Sequence, residues 1–350
     1  MKSYQARLIK VFSIITTFLL ASEAKAHEVY VLTADQVKQL ETEPAVSFLD
    51  IFSNHVSNTI IWGLIVSFII VSVFIISISV RLENKFDKYL VRLKHYAPFI
   101  ARITVGLAFI FCAYESAMFG PELPFQAMYG QFSLLVQIAF FLLGLAMIFG
   151  FYSRLAGIIG LLFFGVGIIN YGVYMVTYLN YLVELVVLVL VGGHKFSVKH
   201  EHHIWSRGSR LLDYISNKYG EFAFLILRVG FGVSLIYASA YAKIFHNQLA
   251  LAVVEEYNLV EVFGFAPEFI VFGAAIIEIL LGIFFILGLE IRFTSIVLNV
   301  FLTLSLLYFG EAVWPHIILI GVPIAFFCYG YDKYSLEGYF FKKGNREPIF

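Results

Sequence analysis

Two carboxylates stand where hydrocarbon is expected. Glu278 lies inside FGAAIIEILLGIFFILG (272–288) and Glu184 inside YLNYLVELVVLVLVGG (178–193). At the centre of a bilayer a charged carboxylate costs about 2.5–3.5 kcal/mol on insertion scales. Each acid must therefore keep its proton, meet a cation or face a watered cavity. Asn180 lies four residues before Glu184 and Tyr181 three before, so the three share one helix face, which Thr177 extends by a turn. Gly282 lies one turn from Glu278 on the same face, where a neighbouring backbone can approach closely. Two readings stay open: a proton-coupled or quinone-contacting acid, and a neutral acid that hydrogen-bonds two helices. Glu278 is expected to keep its proton and to face the interior of its bundle. Lys243, at the outer end of its apolar run, either snorkels to the headgroups or pairs with an acid of the same half.

The remaining reactive side chains exclude more than they suggest. A membrane b-type haem needs axial ligands at depth, usually His. His246 and His316 lie at the edges of their runs, so no haem is expected. The two cysteines, Cys112 and Cys328, are too few for an iron–sulfur cluster and read as small buried side chains. KHEHHIW (199–205), with His200, His202 and His203, has neither HExxH spacing nor cysteines, and reads as a solvated basic loop. His27, if exposed as a first residue, would offer a ring and an amino group to copper. These histidines are weak metal candidates, and no metal is expected. The chain has no recognisable nucleophile–base pair or phosphate loop. A redox role would need an external donor and a diffusible carrier such as a quinone.

The elements that hold these residues are membrane helices. Of 350 residues, 60% are hydrophobic and 14% charged, against about a quarter charged in soluble domains. The formal net charge is zero, so no basic field points to nucleic acid. Lys2, Arg7 and Lys10, the apolar VFSIITTFLLA (11–21) and Ala24-Lys25-Ala26 form a signal peptide over 1–26, with an uncleaved anchor as the alternative. A short polar segment (27–58) precedes the first transmembrane helix (59–80). Eight further apolar runs follow, at about 98–118, 132–151, 155–175, 178–193, 222–241, 269–289, 293–310 and 315–330. Backbone satisfaction in lipid makes each a helix. The loops 81–97 and 194–221 and the tail 331–350 carry most of the Lys and Arg. The positive-inside rule then puts the mature N-terminus outside and the C-terminus in the cytoplasm, in a multi-pass protein of the cytoplasmic (inner) membrane.

The last eight helices divide into two fours. RITVGLAFIFCAYESAMFGPEL (102–123) aligns with RVGFGVSLIYASAYAKIFHNQL (228–249), and G-x5-G-x3-R recurs at Gly144, Gly150, Arg154 and at Gly282, Gly288, Arg292. The second unit has gained about twelve residues near 253–264. Units of four helices keep the same orientation, so a pseudo-two-fold along the membrane normal should relate 98–193 to 222–330. Arg102 and Arg228 open the first helix of each unit. Arg154 and Arg292 follow helix ends and are expected to cap their last carbonyls and meet lipid phosphates.

RVGFGVSLIYASAYAKIFHN, EILLGIFFILGLEIRF and the final FFCYG resemble the DoxX family of small four-helix membrane proteins. Arg228, Gly232, Lys243, Glu278, Gly282, Gly288 and Arg292 stand at the family's places. The first unit matches at Arg102, Gly106, Gly144, Gly150 and Arg154, but Phe140 stands where Glu278 does and no Lys closes its first helix. The resemblance implies an all-α polytopic membrane protein of two tandem four-helix bundles. It also implies a redox-linked subunit, quinone- or thiol-associated and working with a redox partner protein, since some members resemble subunits of thiosulfate:quinone oxidoreductases. The alternatives are a membrane scaffold without activity and, less well supported, a transporter, whose broken helices would show matching mid-span Gly/Pro interruptions in both units.

Overall fold

Neither glycine nor proline occurs from 64 to 97, and the chain there runs as one rod, α1 (Thr59–Leu93), about 50 Å long at 1.5 Å per residue. A computed structural model describes residues 40, 43–47, 53, 59–192, 206–309 and 313–341. The signal segment, His27 and the His200–His203 loop lie outside the described residues. After α1 come α2 (Ala97–Glu115), a short α3 (Phe125–Tyr129), α4 (Ser133–Phe149), α5 (Ser153–Tyr171), α6 (Leu179–Val191) and α7 (Ser206–Tyr219). The second half comprises α8 (Ala223–Ala240), α9 (Asn247–Glu256), α10 (Leu259–Phe263), α11 (Pro267–Leu287), α12 (Ile291–Phe309) and α13 (Ile317–Tyr329). Among the described residues there is no strand, only an isolated bridge between Ala117 and Pro124. The protein is an all-α, multi-pass membrane protein.

Among the described residues, six helical stretches are long and apolar enough to cross a membrane. One of them, Ser153–Val191, contains two expected runs. Gly172 (φ +56°) breaks it, and the chain returns so that a Cβ on Gly160 would abut Leu185, fixing α5 and α6 as an antiparallel pair. α6 and α13 have only thirteen residues each. At about 20 Å they fall short of the hydrocarbon thickness, and tight turns over Gly172–Tyr178 and Trp314–His316 extend them.

Contacts between the halves repeat with roles exchanged. α2 packs on α4 and on α13, while α8 packs on α11 and on α6. At the first crossing a Cβ on Gly144 would stand 2.6 Å from the Gly106 carbonyl, and one on Gly106 2.8 Å from that of Gly144. Gly232 and Gly282 repeat this at 2.6 and 2.8 Å. Only glycine lets backbones approach this closely. Across the halves, Thr104 of α2 fills the space above Gly321 of α13, and Val183 of α6 fills the space above Gly230 of α8. A single apolar core runs through both halves.

The twelve-residue gain near 253–264 takes in the end of α9 and all of α10, and these two helices cover the end of the second half opposite the arginines. Their residues Ala250, Val254 and Leu259 pack on Val271 of α11. Part of the N-terminal segment is strapped over α9. The Asn247 side chain accepts from Val46 N–H (2.9 Å) and donates to Val46 C=O (2.8 Å), and Gln248 donates to Pro44 C=O.

Candidate functional site

Lys243 is carried on a π-turn, Tyr241–Phe245, that ends the α8 rod. Such wide turns re-aim a side chain relative to a regular helix and are frequent at functional sites. Here Lys243 Nζ comes within 3.1 Å of Glu278 Oε2 on α11, with both side chains largely buried. The acid is thus met by a cation, one of the three arrangements open to it. A lysine that was equally suited to reach the headgroups turns inward and is 9% exposed. The family-like places Arg228, Lys243, Glu278 and Arg292 all lie on α8, its π-turn, α11 and α12, positioned by the Gly232–Gly282 crossing.

Two cavities flank the pair. One, of about 110 Å³, is lined by Asn180, Tyr181, Ser234, Ser239, Glu278 and His316, together with Tyr174, Tyr178 and Tyr241. The other, of about 130 Å³, is lined by Lys243, Ala250, Val254, Leu259, Glu278 and Phe309 among others. The structure thus brings Asn180, Tyr181, Glu278 and Lys243 to one place. The stripe Thr177–Asn180–Tyr181 does not belong to a separate site of the first half; it faces a cavity shared with the second. The link is direct, for Ser234 on α8 donates to the Thr177 carbonyl at 2.7 Å.

Glu184 departs from this group. It is fully buried on α6, its two carboxylate oxygens have no hydrogen-bond partner among the described residues, and it lines neither cavity. One helical turn carries it past the cavity floor formed by Asn180, whose own Oδ1 accepts from Tyr181 N–H. Asn170 and Asn299 do not extend the cluster, since each donates to the carbonyl four residues back in its own helix.

In the first half the equivalent space is filled by rings. Phe140, standing where Glu278 does, lies 4.8 Å from Phe109 and 4.9 Å from Phe125, centroid to centroid. Phe119 joins them from a loop that turns inward through positive φ at Ser116 (+56°) and Phe119 (+68°). That loop also delivers Glu122, which accepts from the hydroxyls of Tyr174 (3.1 Å) and Tyr178. Nothing in the residues next to Glu122 singles it out. Its signal was the tyrosine spacing 174–178, one helical turn apart and pointing the same way.

At the other end the arginines hold helix ends together. Arg228 donates to the carbonyls of Phe285 (2.7 Å) and Ile286 (2.8 Å), capping α11, and to that of Tyr334. Gly288 (φ +68°) is obligatory beside it, since a Cβ there would strike the guanidinium. Arg292 caps α13 instead of its own predecessor, donating to the Phe327 carbonyl at 2.8 Å, and stands 3.6 Å from Glu83 of α1. It is 3% exposed, so its partners are protein groups and not the lipid phosphates expected. Arg154 pairs with Asp213 of α7 and lies against Gly192 as Arg292 lies against Gly330. Arg102 is buried at the place equivalent to Arg228. Beyond α13, Glu337 accepts from Ile291 N–H at the start of α12 (3.0 Å) and donates its own N–H to the Gly288 carbonyl. Burial pushes the Glu337 carboxyl up to about 7, against the pull of the Ile291 N–H. Burial likewise raises Glu290 and Asp332.

Among the described residues no group of three or more His, Cys, Asp or Glu is placed to hold a metal ion. Cys112 and Cys328 are free and buried. His316 is buried on the turn before α13, and His246 follows the π-turn.

Residues 223–311 match the model of the DoxX family. The match spans α8 to α12 and so includes Arg228, Lys243, Glu278, Gly282, Gly288 and Arg292. No curated protein and no solved structure matches the chain.

Proposed function

We propose that this integral membrane protein, whose residues 223–311 are a DoxX domain, is a redox-linked subunit that holds a quinone headgroup beside Glu278. The observation that carries the reading is the Lys243–Glu278 pair, whose Glu278 lines an aromatic cavity. Buried ionisable groups in membrane helices mark ligand or proton sites more often than they mark packing. A quinone ring asks for apolar faces and a few hydrogen-bond donors, and Asn180, the tyrosines and Lys243 supply both kinds of surface. Electrons would come from a partner protein.

The same proposal includes the organisation: a signal peptide at 1–26, a mature N-terminus outside, the arginine-rich end in the cytoplasm and a diverged first unit over 98–193. The exchanged packing of α2 on α13 and α8 on α6 supports the tandem arrangement. A second reading, a scaffold without activity, draws on one observation: the first unit has filled its equivalent space with Phe119, Phe125 and Phe140.

The test is mass spectrometry of what co-purifies in mild detergent. Stoichiometric quinone, lost in Glu278→Gln, is the expected result. A protein partner held tightly with no quinone would favour the scaffold.

A further inference from the structure

We infer that the two cavities beside Glu278 are the head and chain chambers of one ligand site, built for an amphiphile with a flat, uncharged ring and an apolar chain. The inference rests on the quinone reading and adds a binding mode to it. Glu278, Phe301, Leu302 and His316 line both spaces, so one layer of side chains separates them. Their chemistry differs. The first chamber carries amide and hydroxyl groups from Asn180, Ser234, Ser239 and its tyrosines. The second is walled largely by Ala250, Val253, Val254, Leu259 and Val271, with Lys243 and Ser305 as its polar groups beyond the shared Glu278 and His316.

Size and charge narrow the ligand. At about 30 Å³ per water, spaces of about 110 and 130 Å³ each take roughly four waters, or one small ring and a short stretch of chain. A charged head is disfavoured because Lys243 and Glu278 already neutralise one another at 3.1 Å. A wholly apolar ligand would leave the amide and hydroxyl groups of the first chamber unmatched. The second chamber also has a separate structural origin. Val253, Val254 and Leu259 lie in the stretch near 253–264 gained by this half over the first, at the end of α9 and on α10. The first half, which lacks them, has rings where Glu278 would stand.

The test compares two probes by equilibrium dialysis against protein in detergent, with protein-free micelles as blank: 2,3-dimethoxy-5-methyl-1,4-benzoquinone and its decyl-bearing analogue. Ala274→Phe and, separately, Val254→Phe fill the second chamber; retention of the wild-type thermal unfolding profile in either one qualifies it. The expected result is at least tenfold weaker binding of the decyl probe with the chain-free ring unchanged. Equal binding of the decyl probe by wild type and a qualified variant overturns the chain chamber. Loss of both probes in a qualified variant overturns the division into two chambers while leaving the quinone reading intact. If neither probe binds the wild-type chain, the quinone reading falls, and the chamber assignment with it.

Discussion

Lys243 Nζ stands 3.1 Å from Glu278 Oε2, and the first half has no such pair, with Ala117 and Phe140 at the equivalent places. Neither charge has a counterpart there. An ammonium without the acid, or the acid without the ammonium, would be a buried uncompensated charge. Removing one partner of a buried pair costs about 3–5 kcal/mol, whereas replacing both with apolar groups can be nearly neutral. Lys243→Met should therefore destabilise the protein in a detergent unfolding titration by about that range, and Lys243→Met with Glu278→Leu should recover most of the loss. Additive losses in the double variant would disprove the coupling.

The glycine crossings make a graded prediction. Gly232→Ala and Gly106→Ala each drive a methyl against a backbone carbonyl, at 2.6 and 2.8 Å respectively. Overpacking of this kind costs about 1–3 kcal/mol. Gly273→Ala, with nothing within 4 Å of the new Cβ, should leave stability unchanged or raise it. Thermal unfolding of the three variants side by side reads this directly, and equal effects at Gly232 and Gly273 would contradict the close approach.

Glu337 sets a pH dependence. Its folded carboxyl titrates at about 7, against an ordinary 4.5, chiefly because it is buried, with Glu290 nearby adding to the rise. Between those values the folded chain holds a proton that the unfolded chain has released. Stability therefore falls as pH rises from about 4.5 to 7 and levels off above, by up to roughly 3 kcal/mol. Glu290 and Asp332, also raised by burial, act with the same sign. Thermal unfolding from about pH 5 to pH 8 should show the decline in the wild type and a flatter profile in Glu337→Gln. A wild-type profile that rises over this interval would count against the buried carboxyl.

Phe140 tests the ring-filled space. It is fully buried among Phe109, Phe125 and Phe163, so Phe140→Ala should cost about 3–5 kcal/mol. Phe140→Glu should fare worse still, since Ala117 supplies no cation. A tolerated Phe140→Glu would mean that the first half keeps a polar partner there after all.

Much of this was legible beforehand because lipid simplifies the code. An apolar run must be a helix, and an acid inside one must be explained, so Glu278, Glu184 and the helix positions stood out. The spacing also marked Gly282 as a place of close backbone approach, though not that Gly232 lies opposite it. What stayed hidden depends on local geometry that no periodicity records. The π-turn aims Lys243 inward, and left-handed Ser116 and Phe119 fold a loop into the first half. Arg292 caps α13 rather than facing lipid because its neighbour in space, Phe327, is remote in sequence. Asn180 and Tyr181 were legible as one helix face but the cavity they line was not, since helix-face arguments say which residues align and not what they face.

The contact of Thr104 with Gly321 bears on how the protein is made. α2 leaves the ribosome early, yet the face that holds Thr104 waits for α13, the last helix of the bundle. α8 has no such delay, because α6 precedes it. Throughout synthesis, then, the nascent bundle keeps one seam open along α2, and only the final helix shuts it. Chains that stop short of α13 would carry that open seam into the bilayer, where membrane proteases could tell them from finished ones.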